Sequence, residues 1–251
     1  MSHHSIEARD LAFSYPDGTV ALDGVSFEIT HGESVAIVGA NGAGKSTLLM
    51  HLNGFLTPLR GSVRVGDVPV IKSTLSDIRK AIGTVFQDPD DQLFMPSVYE
   101  DVAFGPMNLG LPLEEVDARV IEALTQVDAL RLKDRPPYRL SGGEKRAVAI
   151  ATVLAMRPNA LILDEPSSNL DPRARRRLIG LLGTFTHTKI IATHDLDLAM
   201  DLCERTIVMS GGTISADGRT GDIFTDDALL DSCGLERPLS MQNCPKCGRS
   251  D

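Results

Sequence analysis

From Glu7 the residues alternate between apolar and polar with the period of two that marks half-buried strands, over Ala8 to Phe13 and Ala21 to Ile29. Tyr15-Pro16-Asp17-Gly18 separates them, a turn in which proline presets one backbone angle and glycine permits the reverse. Ser34 to Val38 is different: a short, continuous apolar run, the pattern of a strand buried on both faces. Leu48 to Asn53 then suits a helix ended by Gly54. Ser62 to Val65 and Val68 to Val70 read as a hairpin around Gly66-Asp67, and Asp77 to Ala81 as a short helix leading to a strand over Gly83 to Phe86.

The middle of the chain changes period. From Leu113 onward Val116, Val120, Leu124 and Val127 recur at helical spacing, and no strand is evident from Asp88 to Arg139, where Pro136-Pro137 marks a boundary. Ser141-Gly142-Gly143-Glu144 has the capping-box pattern of a helix start, and Ala147 to Met156 is apolar almost all round. Two more buried strands follow, Ala160 to Leu163 and Lys189 to Thr193, with Asp171-Pro172 opening a helix between them. A hairpin around Gly211-Gly212 and a helix near Asp226 to Ser232 close the globular part. The rest, 234–251, reads as a tail carrying Cys244-Pro245-Lys246-Cys247.

Chemistry concentrates where these elements end. Between the strand Ser34 to Val38 and the helix after it lies Gly39-Ala40-Asn41-Gly42-Ala43-Gly44-Lys45-Ser46-Thr47, a G-x-x-x-x-G-K-[ST] run in the strand–loop–helix context that the motif requires. Backbone N–H groups of such a loop, with the positive end of the following helix, hold a polyphosphate. Lys45 would reach the β- and γ-phosphates and Ser46 a Mg²⁺ ion. Gln87 stands at a strand's end, where ligands of α/β sheets gather. Asp164 and Glu165 end another strand, placed to face Mg²⁺ and to activate water. His194 ends a third. Tyr15 is either a buried corner aromatic or a ring stacked on a base, and its place upstream of the phosphate loop favours the second.

Composition narrows the partners. With 251 residues the chain can bury a substantial core, and a net charge of −9, 4% aromatic residues and no Trp give neither the basic footprint nor the stacking platforms of a nucleic-acid binder. Four cysteines form no disulfide framework, no run approaches membrane-spanning length and no signal-peptide pattern is present. A cytoplasmic protein is expected, with any membrane role exerted through a partner. Cys244 and Cys247 make half of a zinc-type site, completed by a second tail, by Cys203, Cys233 or the histidines near the start, or else they are two idle thiols.

In this order the motifs resemble the ATP-binding-cassette ATPase family over about residues 6 to 230. The resemblance implies an α/β fold, a P-loop NTPase of ABC-ATPase type with an antiparallel β subdomain and an α-helical subdomain. The ATPase domain would span 6–233, with a helical subdomain at about 88–157 inserted in the core. In the family's terms Tyr15 is the adenine-stacking aromatic, Gly39 to Thr47 the phosphate loop and Gln87 the Q-loop glutamine. Leu140-Ser141-Gly142-Gly143-Glu144 is the LSGGQ signature with Glu144 in place of Gln. Asp164 closes the Walker B strand, Glu165 is the catalytic carboxylate, Ser168 to Asp171 the D-loop with Asn169 for the common Ala, and His194 the switch histidine.

Nucleotide contacts are thus expected from Tyr15, Gly39, Asn41, Gly42, Ala43, Gly44, Lys45, Ser46, Thr47, Gln87, Ser141, Gly142, Gly143 and Glu144, metal contacts from Ser46, Gln87 and Asp164, and catalysis from Lys45, Glu165 and His194. Phe86 to Phe94 and Asp101 to Leu111 further resemble the ATPases of energy-coupling factor importers, particularly those for cobalt and nickel. That resemblance implies ATP and Mg²⁺, a second copy of the chain, integral membrane transport subunits, and a place at the cytoplasmic face of the membrane. Vitamin importers of the same group share similar stretches. A soluble cassette that remodels a macromolecular assembly is the alternative from another class.

Overall fold

The computed structural model describes residues 5–242. In chain order its elements are β1 (Ile6–Ser14), β2 (Val20–Ile29), β3 (Ser34–Val38), α1 (Lys45–Leu52), β4 (Arg60–Val65), β5 (Val68–Pro69), α2 (Leu75–Ala81) and β6 (Ile82–Val85). Then come α3 (Val98–Asn108), α4 (Leu113–Gln126), α5 (Gly142–Leu154), β7 (Ala160–Asp164), α6 (Pro172–Thr184), β8 (Thr188–Ala192) and α7 (Leu196–Leu202). The order ends with β9 (Arg205–Ser210), β10 (Thr213–Arg219), α8 (Thr220–Thr225) and α9 (Asp227–Ser232). The chain divides into two compact units, one running up to Ile78 and resuming at His187, the other Arg79–Thr186.

The first unit holds an antiparallel sheet in the order β2-β1-β4-β5 and a second sheet in which β3 lies parallel to both β8 and β9, with β10 antiparallel on β9. Val35 to Val38 are fully buried, as a continuous apolar run predicts for a central parallel strand. At Asp10, with φ 48°, the pairing of β1 shifts register, and the bulged backbone comes against Gly61 of β4. A Cβ on Gly61 would lie 2.3 Å from the Arg9 and Asp10 carbonyl oxygens, so only glycine fits. Leu235, beyond α9, is buried, and the Leu239 and Ser240 N–H groups donate to the Asp197 carboxylate of α7 at 3.0 and 2.9 Å. Cys244 and Cys247, like His3 and His4, lie outside the described residues.

In the second unit β6 and β7 pair in parallel, and α3, α4 and α5 share a core built on Val98, Val102, Val116, Val120, Leu124 and Val148. The helical period seen from Leu113 is α4; α3 carries no such clear period because Gly105 and Pro106 interrupt it, and its start is fixed by Ser97, whose hydroxyl accepts from the Glu100 N–H. Likewise α7 was not foreseen from spacing, although Asp195 caps it. Strand β6 stops at Val85 rather than Phe86. The Phe86 N–H donates to the Gln92 side chain and its carbonyl accepts from Arg146, so no strand ladder continues there. Among the described residues, no helix is long and apolar enough to cross a membrane.

Candidate functional site

The phosphate loop runs from the buried end of β3 into α1. Gly44 precedes the helix with φ 102°, and a Cβ there would lie 2.4 Å from the Ala21 carbonyl oxygen; at Gly39 it would lie 2.3 Å from that of Met209. The loop can therefore thread between β2 and β9 only as glycine. No side chain caps α1, which leaves its first-turn N–H groups directed at the loop. Asn41 and Gly42 are exposed and Ala43 is buried. The Lys45 ammonium is buried and donates to the Gly39 and Ala40 carbonyls at 2.7 and 3.2 Å, so its charge is held over the loop itself. Ser46, one residue on, is half-buried.

Thr47 ties the loop to an aromatic cluster. Its hydroxyl lies 2.9 Å from that of Tyr15, whose ring meets Phe13 edge-on at 5.2 Å, and Phe13 in turn meets His51 at 4.8 Å. Tyr15 remains 37% exposed, so it is anchored beside the phosphate loop with part of its ring open rather than buried as a corner. His51 donates from Nδ1 to the Thr47 carbonyl at 2.7 Å, and burial pushes its imidazole below the usual value. On the same sheet, Thr193 donates to the Ile37 carbonyl at 3.1 Å, continuing the parallel register of Ile37 with Ala192. His194 therefore leaves β8 at the end where the phosphate loop leaves β3, and it is exposed.

The second unit carries the other predicted residues. Asp164 is the last residue of β7, and Glu165 follows, buried and with φ 45°. A non-glycine residue in that region, ahead of Pro166, costs on the order of 1–3 kcal/mol. Ser141 caps α5 in a full capping box: the Glu144 N–H reaches its hydroxyl, and the Ser141 N–H donates to the Glu144 carboxylate at 3.0 Å. These backbone bonds, with Arg131 paired to Glu144 at 3.0 Å, hold the Glu144 carboxyl below its ordinary range. Glu144 thus serves the local structure that glutamine could also serve, its extra charge answered by Arg131. Gly142 is exposed and Gly143 half-buried, at the start of α5.

Gln87 is exposed two residues past β6, and the spacing alone missed what holds it there. Arg146, in the second turn of α5 and only 3% exposed, donates to the Phe86 carbonyl at 2.6 Å and to that of Gln87 at 2.5 Å. Burial lowers its pKa, while the charges of Asp88 and Asp164 oppose that shift. The sequence signal was present: Arg146 shares a helical face with the buried Ala149, Ile150 and Val153. Further along the loop, Leu93 is buried in the helical core, whereas Phe94 is 64% exposed and meets Phe104 edge-on at 5.1 Å. Cys203 and Cys233 are buried and not in a disulfide, with burial pushing the Cys203 thiol up to about 12.

A family model described as ABC transporter matches residues 22–168. A putative ABC transporter ATP-binding protein of Geobacter sulfurreducens is 66% identical over 99% of this chain and 100% of its own length. An energy-coupling factor transporter ATP-binding protein, EcfA, of Methanothermobacter thermautotrophicus is 48% identical over 93% of this chain and 76% of its own. Among solved structures, cbiO1 from Clostridium perfringens, part of the ABC transporter complex cbiONQ, matches with a TM-score of 0.80 and 40% identity, covering 92% of this chain and 94% of that one. The dimeric post-hydrolysis state of the cassette MJ0796 bound to ADP and Pi matches with a TM-score of 0.78 and 28% identity, over 86% and 98% of the two chains. The chain belongs to the ABC transporter family and is one of its ATP-hydrolysing cassettes.

Proposed function

We propose that this chain energises an importer of the energy-coupling factor type from the cytoplasmic face of the cell membrane, working as a homodimer beneath integral membrane transport subunits, and that the cargo is a cobalt or nickel ion. The observation that carries this reading is the 40% identity to cbiO1 over nearly the whole of both chains, since that protein is part of a cbiONQ complex. The exposed Phe94–Phe104 pair, on the stretch that resembles importer ATPases, offers the membrane subunits an apolar foothold.

In the proposed mechanism the loop Gly39 to Thr47 holds the phosphates of ATP, Tyr15 lies against the base, and Lys45 turns from the loop carbonyls to the β- and γ-phosphates. Glu165 orients the attacking water and accepts its proton, and His194 senses the γ-phosphate. The Gly142 and Gly143 amides at the start of α5 close over ATP held by the other copy. Each copy thus supplies half of two sites, and ATP favours the closed pair by its differential affinity.

The residues also suit Mg²⁺. Ser46 and Asp164 offer a hydroxyl and a carboxylate, hard oxygen donors, with Gln87 as a third oxygen, and among the described residues no group of three or more His, Cys, Asp or Glu could hold an ion by itself. Mg²⁺ is held in this way by few protein oxygens together with substrate phosphates, and bound there it would neutralise charge developing on the phosphoryl oxygens. Uptake of labelled nickel and cobalt by cells tests the cargo. Deletion of this gene should reduce one of them; unchanged uptake of both with lost uptake of a vitamin would reassign the cargo within the same group. No change in either, with no membrane protein copurifying, would favour a soluble remodelling ATPase.

A further inference from the structure

The β6–β7 ladder ends at Val85, and the loop that follows is fastened to α5 by side chains of both. Arg146 donates from Nη1 to the Phe86 carbonyl and from Nη2 to the Gln87 carbonyl, at 2.6 and 2.5 Å. Gln92 makes the second attachment: its Oε1 accepts from the Phe86 N–H at 3.2 Å, while its Nε2 donates to the Ala149 carbonyl and the Thr152 hydroxyl, both at 2.8 Å. Lys145 pairs with Asp90 at 2.6 Å on the exposed side. The stretch from Phe86 to Gln92 is therefore fastened to the same helix whose first residues are Gly142 and Gly143.

We propose that Arg146 is a positioning residue that makes the Gln87 loop and the glycine-led start of α5 move as one piece, so that the nucleotide met by Gln87 and the nucleotide covered by Ser141-Gly142-Gly143 are linked through its guanidinium. This rests on reading those two segments as nucleotide-facing. A planar fork can engage two successive carbonyls at once, which a lysine ammonium on a flexible stem cannot hold in a fixed geometry. Stability alone is a poor reason for the residue. A buried cation is costly, its Nε has no hydrogen-bond partner, and an apolar residue would pack among Ala149, Ile150 and Val153 without that cost. The distance along α5 from Ser141 to Arg146 is little more than one helical turn, about 7.5 Å, too short for the helix to bend and absorb a displacement of the loop.

The test uses the purified full chain with MgATP and four variants, Arg146→Lys, Gln92→Met, Gln87→Ala and the double Arg146→Lys/Gln87→Ala. Arg146→Lys should lower kcat on the order of tenfold or more, the usual effect of losing a residue that orients a ligand from behind, with KM for ATP changed by less than about threefold. Because Arg146 acts through Gln87, the double variant should turn over no more slowly than Gln87→Ala alone. A merely structural role gives effects that multiply instead, and either that result or a parental kcat for Arg146→Lys overturns the proposal. Gln87→Ala at the parental rate would instead sink the reading of Gln87 on which the proposal stands. Should Arg146→Lys fail to fold, Gln92→Met answers the same question: a lowered kcat at steady KM supports the fastening, and parental turnover overturns it.

Discussion

Lys45 and Glu165 act at different moments of the proposed reaction, and their replacement should separate. In the proposed reaction Lys45 meets phosphate in ground and transition states alike, so Lys45→Ala should lose ATP binding and turnover together. The role proposed for Glu165 is on the water alone, so Glu165→Gln should bind ATP as the parent does and hydrolyse it about 100-fold or more slowly. Titration with a fluorescent ATP analogue beside phosphate release decides, and parental hydrolysis by Glu165→Gln removes it as the catalytic carboxylate. At His51, Nδ1 spends its proton on the Thr47 carbonyl and Nε2 is buried with no partner, so a second proton would be stranded. The folded imidazole is therefore depressed by burial, whereas the unfolded one protonates near its ordinary value of about 6.5. Stability should hold above that pH and fall below it, because the unfolded chain then binds the extra proton. Denaturant midpoints from pH 7.5 to 5.5 should decline more steeply for the parent than for His51→Gln; identical slopes would show that His51 protonates freely in the fold.

Among the elements, β6 and α5 are pressed together at a glycine. A Cβ on Gly83 would lie 2.1 Å from Val153 Cγ1 and 2.9 Å from Pro158 Cγ, so Gly83→Ala must push α5 off the strand. Overpacking of that kind costs about 1–3 kcal/mol, a fall of several degrees in Tm for a chain of this size. Gly180 on α6 is the contrast: it is exposed, nothing lies within 4 Å of its Cβ position, and Gly180→Ala should raise Tm slightly through helix propensity alone. Scanning calorimetry reads both, and a raised Tm for Gly83→Ala would mean the strand and helix are not in contact there. On the loop that follows, Phe94→Glu should release the membrane subunits from a pull-down in mild detergent; their retention would place the docking surface elsewhere. Leu93, adjacent in sequence, cannot be used for this test because its side chain belongs to the helical core.

At the scale of the whole molecule, the roles proposed for the phosphate loop, for Ser141 to Gly143, for Glu165 and for His194 all fall on one chain, which is what a symmetric pair needs from each copy. Glu165→Gln at saturating MgATP should sediment as a dimer and return to monomer when the nucleotide is removed; a monomer throughout would count against the sandwich. The phosphate loop, the capping box at Ser141, the carboxylates at the end of β7 and the family itself were legible in the sequence because each depends on local backbone chemistry: glycines where a Cβ will not fit, a cap where a helix begins, acids at a strand's end. The burial of Leu93, the anchoring of Tyr15 through Thr47 and the fastening of Gln87 by Arg146 were decided by tertiary structure. In each the partner is distant in sequence, 60 residues from Arg146 back to Phe86 and 32 from Thr47 back to Tyr15, and spacing carries no information about which distant carbonyl or hydroxyl a side chain will meet. Only packing brings such groups within hydrogen-bond reach.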